Sequence, residues 1–267
     1  MSVAWRTCVA HELRLFLIAL QFLTRMPVPA WCGHQPAWLN ASVRYFPLVG
    51  ALVGACGALV LGMASTVWPP VVAAALAVLA TVWLTGAFHE DGLADTFDAL
   101  GGVASRERAL AIMKDSRIGT YGACALVMVL GLRVALLGTL LRHGTAAASL
   151  ALIGSHAIGR CGAVLMMALL PYAGDADHAK AKPLAVGVTW RSVVPAMMVT
   201  AVGVLLLAAC SAASIGWRWA VAAAMALGVV MGLQRWLNAR LGGYTGDTLG
   251  ATEQLCELMV LLVLAAR

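Results

Sequence analysis

Seven apolar stretches, each near the length that crosses a hydrocarbon layer, run through this chain and set what it can fold into. A helix needs about 20 residues to cover that thickness, and it satisfies its own backbone polar groups on the way. The stretches lie at 45–66, 68–88, 121–141, 146–170, 193–212, 217–236 and 247–265. The second begins at Pro69-Pro70, where proline is tolerated because the first helical N–H groups have no partner in the helix. Of 267 residues, 62% are apolar and 11% charged, too apolar for one soluble core to absorb. The same figures exclude disorder, collagen, coiled coil and a disulfide scaffold. The expected architecture is all-α: one integral membrane domain over residues 1–267, a polytopic bundle of about seven transmembrane helices. Small residues at Gly50-x3-Gly54 and Gly228-x3-Gly232 predict close helix approaches.

From His11 to Met26 a shorter apolar stretch is interrupted by Arg14 and Gln21 and stopped by Pro27. Arg14 breaks the apolar region a cleaved signal peptide needs, and no small-x-small site follows. An uncleaved amphipathic helix lying at the interface is expected instead.

With seven spans the loops alternate sides. Thirteen of the 18 Lys and Arg fall on the side of the N-terminus and three, Arg142, Arg218 and Arg267, on the other, with Arg133 and Arg160 inside spans. Cytoplasmic loops carry the excess of Lys and Arg, so the N-terminus is expected in the cytoplasm and the C-terminus outside. The formal charge of +6 is therefore topogenic rather than the mark of a nucleic-acid surface, whose cations would cluster on one soluble face. Seven scattered Cys form no metal or redox motif. Ten of the 12 Asp and Glu share the cation-rich side, Asp175 and Asp177 among them, and Glu253 and Glu257 enter the membrane from it. Such a one-sided distribution points to an enzyme or carrier working on cytoplasmic material.

The longest polar loop, expected on the cytoplasmic side at about 89–120, follows the second span and opens HEDGLADTFDALGG. If it is helical from about Glu90, then Asp91, Asp95 and Asp98 recur at i, i+4 and i+7 and project from one stripe. Acids near a helix start suit its dipole, which accounts for one or two of them. Three on one face with no cation among them are better explained by a bound divalent metal, and hard oxygen donors favour Mg²⁺ or Mn²⁺ over zinc. Further on, Lys114-Asp115-Ser116-Arg117-Ile118-Gly119-Thr120-Tyr121-Gly122 sets two cations around a carboxylate, beside glycines that let backbone N–H groups approach a ligand. Lys114 and Arg117 suit phosphate oxygens, or else lipid headgroups, although headgroups leave Asp115 without a role.

A second motif, Gly242-Gly243-Tyr244-Thr245-Gly246-Asp247-Thr248, opens the last span as an anion or phosphate cradle with Thr245 as a ligand, and Asp247 either caps the helix or ligates metal. Glu253 and Glu257 follow roughly 9 and 15 Å deeper along that helix, where a carboxylate needs a partner or a wet cavity. Arg160, about 15 Å into its own span, is expected to face Glu257 or the reaction cavity. Arg133, nearer the outer end, is expected to snorkel to the outer headgroups. His156, one turn from Arg160, is expected to be a hydrogen-bonded packing residue.

Five segments then resemble the cobalamin synthase family, the adenosylcobinamide-GDP ribazoletransferases: Phe22 to Pro29, Tyr45 to Gly50, His89 to Asp95 with Asp98, Ile112 to Gly122, and Gly243 to Gly250, in order over about residues 20 to 265. The resemblance implies an enzyme of a bacterial inner membrane that uses Mg²⁺ to join α-ribazole, or its 5′-phosphate, to adenosylcobinamide-GDP with release of GMP. On that footing Asp91, Asp95, Asp98 and Asp247 hold Mg²⁺, and Lys114, Arg117, Arg160 and Thr245 bind phosphates. Asp115 or Glu90 is the general base, and a homo-oligomer is admitted. Two other readings stand beside it. A CDP-alcohol phosphotransferase would also use an Asp-rich stripe, but here Asp95 follows Ala94 where that pattern wants Arg. A secondary transporter would use Arg160, Glu253 and Glu257 as an ion path.

Overall fold

The computed structural model describes residues 3–33, 35–174, 188–212 and 215–266. Asp175, Asp177, Lys180, Lys182 and Arg267, counted by side above, lie outside the described residues. Among those described, the chain is a set of α-helices with no strand. In order they are α1 (Val3–Leu23), α2 (Pro36–Ser42), α3 (Phe46–Ala64), α4 (Pro70–Thr85), α5 (Phe88–Leu100), α6 (Arg106–Ile112), α7 (Thr120–Arg142) and α8 (Thr145–Leu169), followed by α9 (Trp190–Cys210), α10 (Arg218–Leu241) and α11 (Gly246–Ala265). Among the described residues six helical stretches are long and apolar enough to cross a membrane, the first running from α2 through one 3-10 turn at Val43–Tyr45 into α3. A seventh crossing exists if α4 and α5 are taken together.

That pair is where the expected second span changes shape. Helix α4 stops after 16 residues, about 24 Å at 1.5 Å per residue, short of the hydrocarbon thickness. It ends because Gly86 and Ala87 both turn left-handed, φ 69° and 59°. The Gly86 N–H donates to Trp83 O (3.1 Å) and the Ala87 N–H to Val82 O (2.8 Å), a Schellman closure that satisfies the last carbonyls. The chain leaves this turn at 90° to α4 as the acidic helix α5.

Helix α8 is the centre of the bundle, enclosed by α3, α9, α10 and α11. Glycine makes the tightest crossing possible: a Cβ on Gly50 would collide with His156 O, and one on Gly54 would stand 2.7 Å from Ile153 Cα. The predicted close approach at Gly50 and Gly54 is therefore present. Gly228 and Gly232 have no atom within 4 Å of a Cβ built there, so they face outward and make no such contact. Helix α1 turns Leu15, Ile18, Ala19 and Leu23 into the bundle, while Leu13 and Gln21 are exposed. Its Glu12 receives Tyr45 Oη (2.6 Å), and Arg14 lies over the Trp38 ring at 4.7 Å.

The loops gather at two ends. At one, Arg106 donates to Leu241 O (2.7 Å) and Ala173 O (3.1 Å), Arg240 donates to Gly102 O (2.9 Å), and Ala173 N–H donates to Tyr244 O (2.8 Å). This end carries α5, α6 and the start of α11. At the other, Arg218 donates to the last carbonyls of α11.

Candidate active site

The site begins with a helix crossing that only glycine permits. A Cβ on Gly92 of α5 would stand 2.6 Å from Asp247 O, and one on Gly250 would stand 3.0 Å from His89 O. The acidic helix and the first turn of α11 are thus in backbone contact, which sets Asp247 directly beside the Asp91–Asp95 stripe. Helix α5 turns one side into the bundle, with His89, Glu90, Leu93 and Ala94 buried, while Asp91 is exposed and Asp95 and Asp98 are half-buried.

The glycines of the second polar segment have a local purpose. Asp98 Oδ2 accepts the Gly119 N–H (2.7 Å) and Oδ1 the Gly122 N–H (2.8 Å), so its carboxylate closes the start of α7. A Cβ at either glycine would strike that carboxylate. The expected approach of these N–H groups to a ligand is corrected: the group they approach is Asp98. A carboxylate has about four acceptor sites, and two are engaged here. Thr245, expected in a phosphate cradle, is the N-cap of α11. Its Oγ1 accepts the Thr248 N–H (3.3 Å), and its own N–H donates to Thr248 Oγ1 (2.8 Å). Its hydroxyl also reaches Met113 Sδ (3.6 Å), which ties the Lys114 segment to the start of α11.

Lys114 and Arg117 are exposed beside this junction. Asp115 accepts from Arg117 Nη2 at 2.7 Å, and that guanidinium holds its carboxyl down at about 2. A carboxylate so weakly basic is better suited to orienting Arg117 than to taking a proton near neutral pH.

Beneath the stripe lies a buried polar network that the sequence only partly announced. Arg160 meets Glu257 (2.9 Å) and Glu253, as expected, but it is 1% exposed and its guanidinium is committed to carboxylates rather than presented to phosphate. Arg133 is likewise 1% exposed, which corrects the expected snorkelling. It meets Glu257 Oε2 (2.9 Å), Gln254 Oε1 (2.8 Å) and Glu90 Oε1 (3.5 Å). Gln254 joins Glu90 (3.1 Å) to Glu253 (3.0 Å), and His156 Nδ1 contacts Glu257. Burial explains the pairing, since an ionised group out of water requires a counter-charge and hydrogen bonds. Glu90 is thus held inside this network one residue from Asp91, away from the solvent-facing stripe. The ligand atoms of His156, Glu253 and Glu257 lie within 4.8 Å of one another, a spacing that suits a metal, but two guanidinium groups already neutralise them. Gln254 is the residue sequence reasoning missed and Arg133 the one it placed wrongly, and the sequence signal for them was an amide and a charge inside apolar runs.

Comparison with known proteins gives one consistent answer. The family model described as cobalamin-5-phosphate synthase matches residues 15–265. The adenosylcobinamide-GDP ribazoletransferase of Leptothrix cholodnii is 55% identical over 94% of this chain and 95% of its own length. Its namesakes in Shewanella amazonensis and Albidiferax ferrireducens are each 43% identical, over 95% and 96% of this chain and 95% and 99% of theirs. No solved structure matches. Matched from the middle of its first helix to the end of its last, the chain belongs to the cobalamin-5-phosphate synthase family.

Proposed function

We propose that this chain is an integral membrane transferase that moves the adenosylcobinamide phosphate of adenosylcobinamide-GDP onto α-ribazole or its 5′-phosphate and releases GMP. The carrying observation is the backbone crossing of Gly92 and Asp247, which joins the acidic stripe to the start of α11, while Asp98 joins the same stripe to Gly119 and Gly122 of the third polar motif. The names of the relatives supply the substrates.

In the reaction a ribazole hydroxyl oxygen attacks the phosphorus that bears the cobinamide. The bond from that phosphorus to the bridging oxygen breaks, GMP leaves with the electron pair, and the hydroxyl proton is released. Catalysis of this kind is mostly positioning and neutralisation of phosphoryl charge. Lys114 and Arg117 supply exposed cations, and Asp115 fixes the direction of Arg117. The donor chemistry suits Mg²⁺, since Asp91, Asp95, Asp98 and Asp247 offer hard oxygens with no sulfur or imidazole among them, but among the described residues no three of these carboxylates gather their oxygens within 4.8 Å, so they would have to converge on the ion. Those residues would hold the ion, which when bound neutralises phosphoryl oxygens. Glu90, Arg133, Arg160 and the α11 glutamates keep the floor of the site rigid. A transporter would need Glu253 and Glu257 open to water at mid-depth, whereas both are fully buried and carry counter-charges. The end bearing α5 faces the cytoplasm of a bacterial inner membrane, the side favoured by the cation bias.

Purified protein given adenosylcobinamide-GDP and α-ribazole is expected to form the coupled corrinoid and GMP in equal amounts with Mg²⁺. The activity disappears with chelator and returns with excess Mg²⁺, and Asp91→Asn and Asp95→Asn lower the rate by roughly 100-fold. Ribazole consumed without GMP, or full rates in both variants, overturns the reading.

A further inference from the structure

The turn that ends α1 and the bend between α4 and α5 enclose a cleft of about 350 Å³ beside the acidic stripe. Its walls include Phe22, Thr24, Arg25, Gly86, Phe88 and Asp91. Phe22 and Phe88 meet edge to face with centroids 5.6 Å apart and form a firm apolar side. The main chain at Arg25 is held in place, its N–H donating to Leu84 O (2.8 Å), while Thr24 Oγ1 donates to Leu20 O (2.7 Å) and accepts the Met26 N–H (3.2 Å). The arginine side chain passes directly over Gly86, where a Cβ would stand 2.5 Å from Nε, so the left-handed glycine makes room for it as well as turning the chain.

For all this fixation, the Arg25 guanidinium makes no hydrogen bond or ion pair among the described residues, and neither does the Asp91 carboxylate in the same cleft. The two opposite charges are not closed into a salt bridge. An anchored, uncommitted guanidinium is a fork for two oxygens, the geometry that selects phosphate. We propose that this cleft is a phosphoryl-binding subsite in which Arg25 grips the phosphate of a substrate beside Asp91. The inference rests on the transferase reading, and it adds a ligand contributed by the end of the first helix. Two substrate groups carry the required chemistry: the diphosphate of the GDP-activated corrinoid and the 5′-phosphate of ribazole phosphate.

The test is steady-state kinetics of full-length protein in membrane vesicles, with Arg25→Ala, Arg25→Gln and Arg25→Lys, on adenosylcobinamide-GDP with α-ribazole or its 5′-phosphate as acceptor. Arg25→Ala and Arg25→Gln are expected to raise one KM at least about tenfold with a smaller change in kcat, and Arg25→Lys recovers part of the loss. If the acceptor phosphate is the ligand, the penalty falls on ribazole 5′-phosphate and spares ribazole. If the donor diphosphate is the ligand, it falls on adenosylcobinamide-GDP with either acceptor. Any KM set within twofold of the parent, or a fall in kcat alone as a loosened bend would give, overturns the inference. Should Arg25→Ala fail to insert, the two longer side chains carry the same comparison. A parent protein that makes no product from either acceptor overturns the transferase reading instead.

Discussion

Arg133 is the residue whose surroundings define the interior of this molecule. Its guanidinium is shared among Glu90, Gln254 and Glu257, side chains from α5 and α11, so it ties the acidic helix to the last one. Arg133→Ala strands Glu90 and Glu257 in a buried setting and is expected to cost about 3–5 kcal/mol, read as a lower thermal midpoint in detergent. Asp115 behaves in the opposite way because it faces water. Its folded carboxyl sits at about 2, below its ordinary value, so its pairing with Arg117 is complete above the ordinary carboxyl range and lost only as pH falls through about 2. The rate profile between pH 5 and 9 should therefore be the same in Asp115→Asn as in the parent, apart from a uniform drop. An inflection in that range removed by the substitution would show that Asp115 takes the proton after all. The stripe of Asp91, Asp95 and Asp98 was legible because helical spacing alone aligns it. The partners of Arg133 were not, because a charge within an apolar run does not declare which neighbouring helix its face will meet.

At the scale of elements, the long helices follow from apolar run lengths, and their ends from prolines and capping residues. The bend after α4 did not follow, since Ala87 in a left-handed conformation has no sequence signature and only Gly86 hints at a stop. The glycines divide in a similar way. Gly50, Gly54, Gly92 and Gly250 sit at crossings, whereas Gly228 and Gly232 look the same in sequence but face outward. Gly92→Val is expected to part α5 from α11 and reduce transfer by roughly tenfold or more while the protein still reaches the membrane, because a small displacement near a reacting centre is costly. Gly228→Ala, with open space around it, should leave both activity and thermal midpoint unchanged. Measuring the two side by side separates a contact effect from a general intolerance of substitution.

For the whole molecule, alternation of spans sets the two ends apart, and side-specific thiol labelling tests it directly. In a background lacking native cysteines, Arg117→Cys is expected to react with an impermeant reagent only from the cytoplasmic side and Arg142→Cys only from the other. Labelling of both from one side would require a different number of crossings. The right-angle turn after α4 has a broader consequence for how such a protein handles its cargo. With α4 about 6 Å short of the hydrocarbon thickness and α5 turned at 90° to it, the proposed orientation sets the carboxylates along the waterline rather than within the oily layer. Under the proposed transfer, a corrinoid, bulky and rich in amides, would berth from the aqueous phase with only its nucleotide tail reaching inward, and the finished product would depart by the same shore.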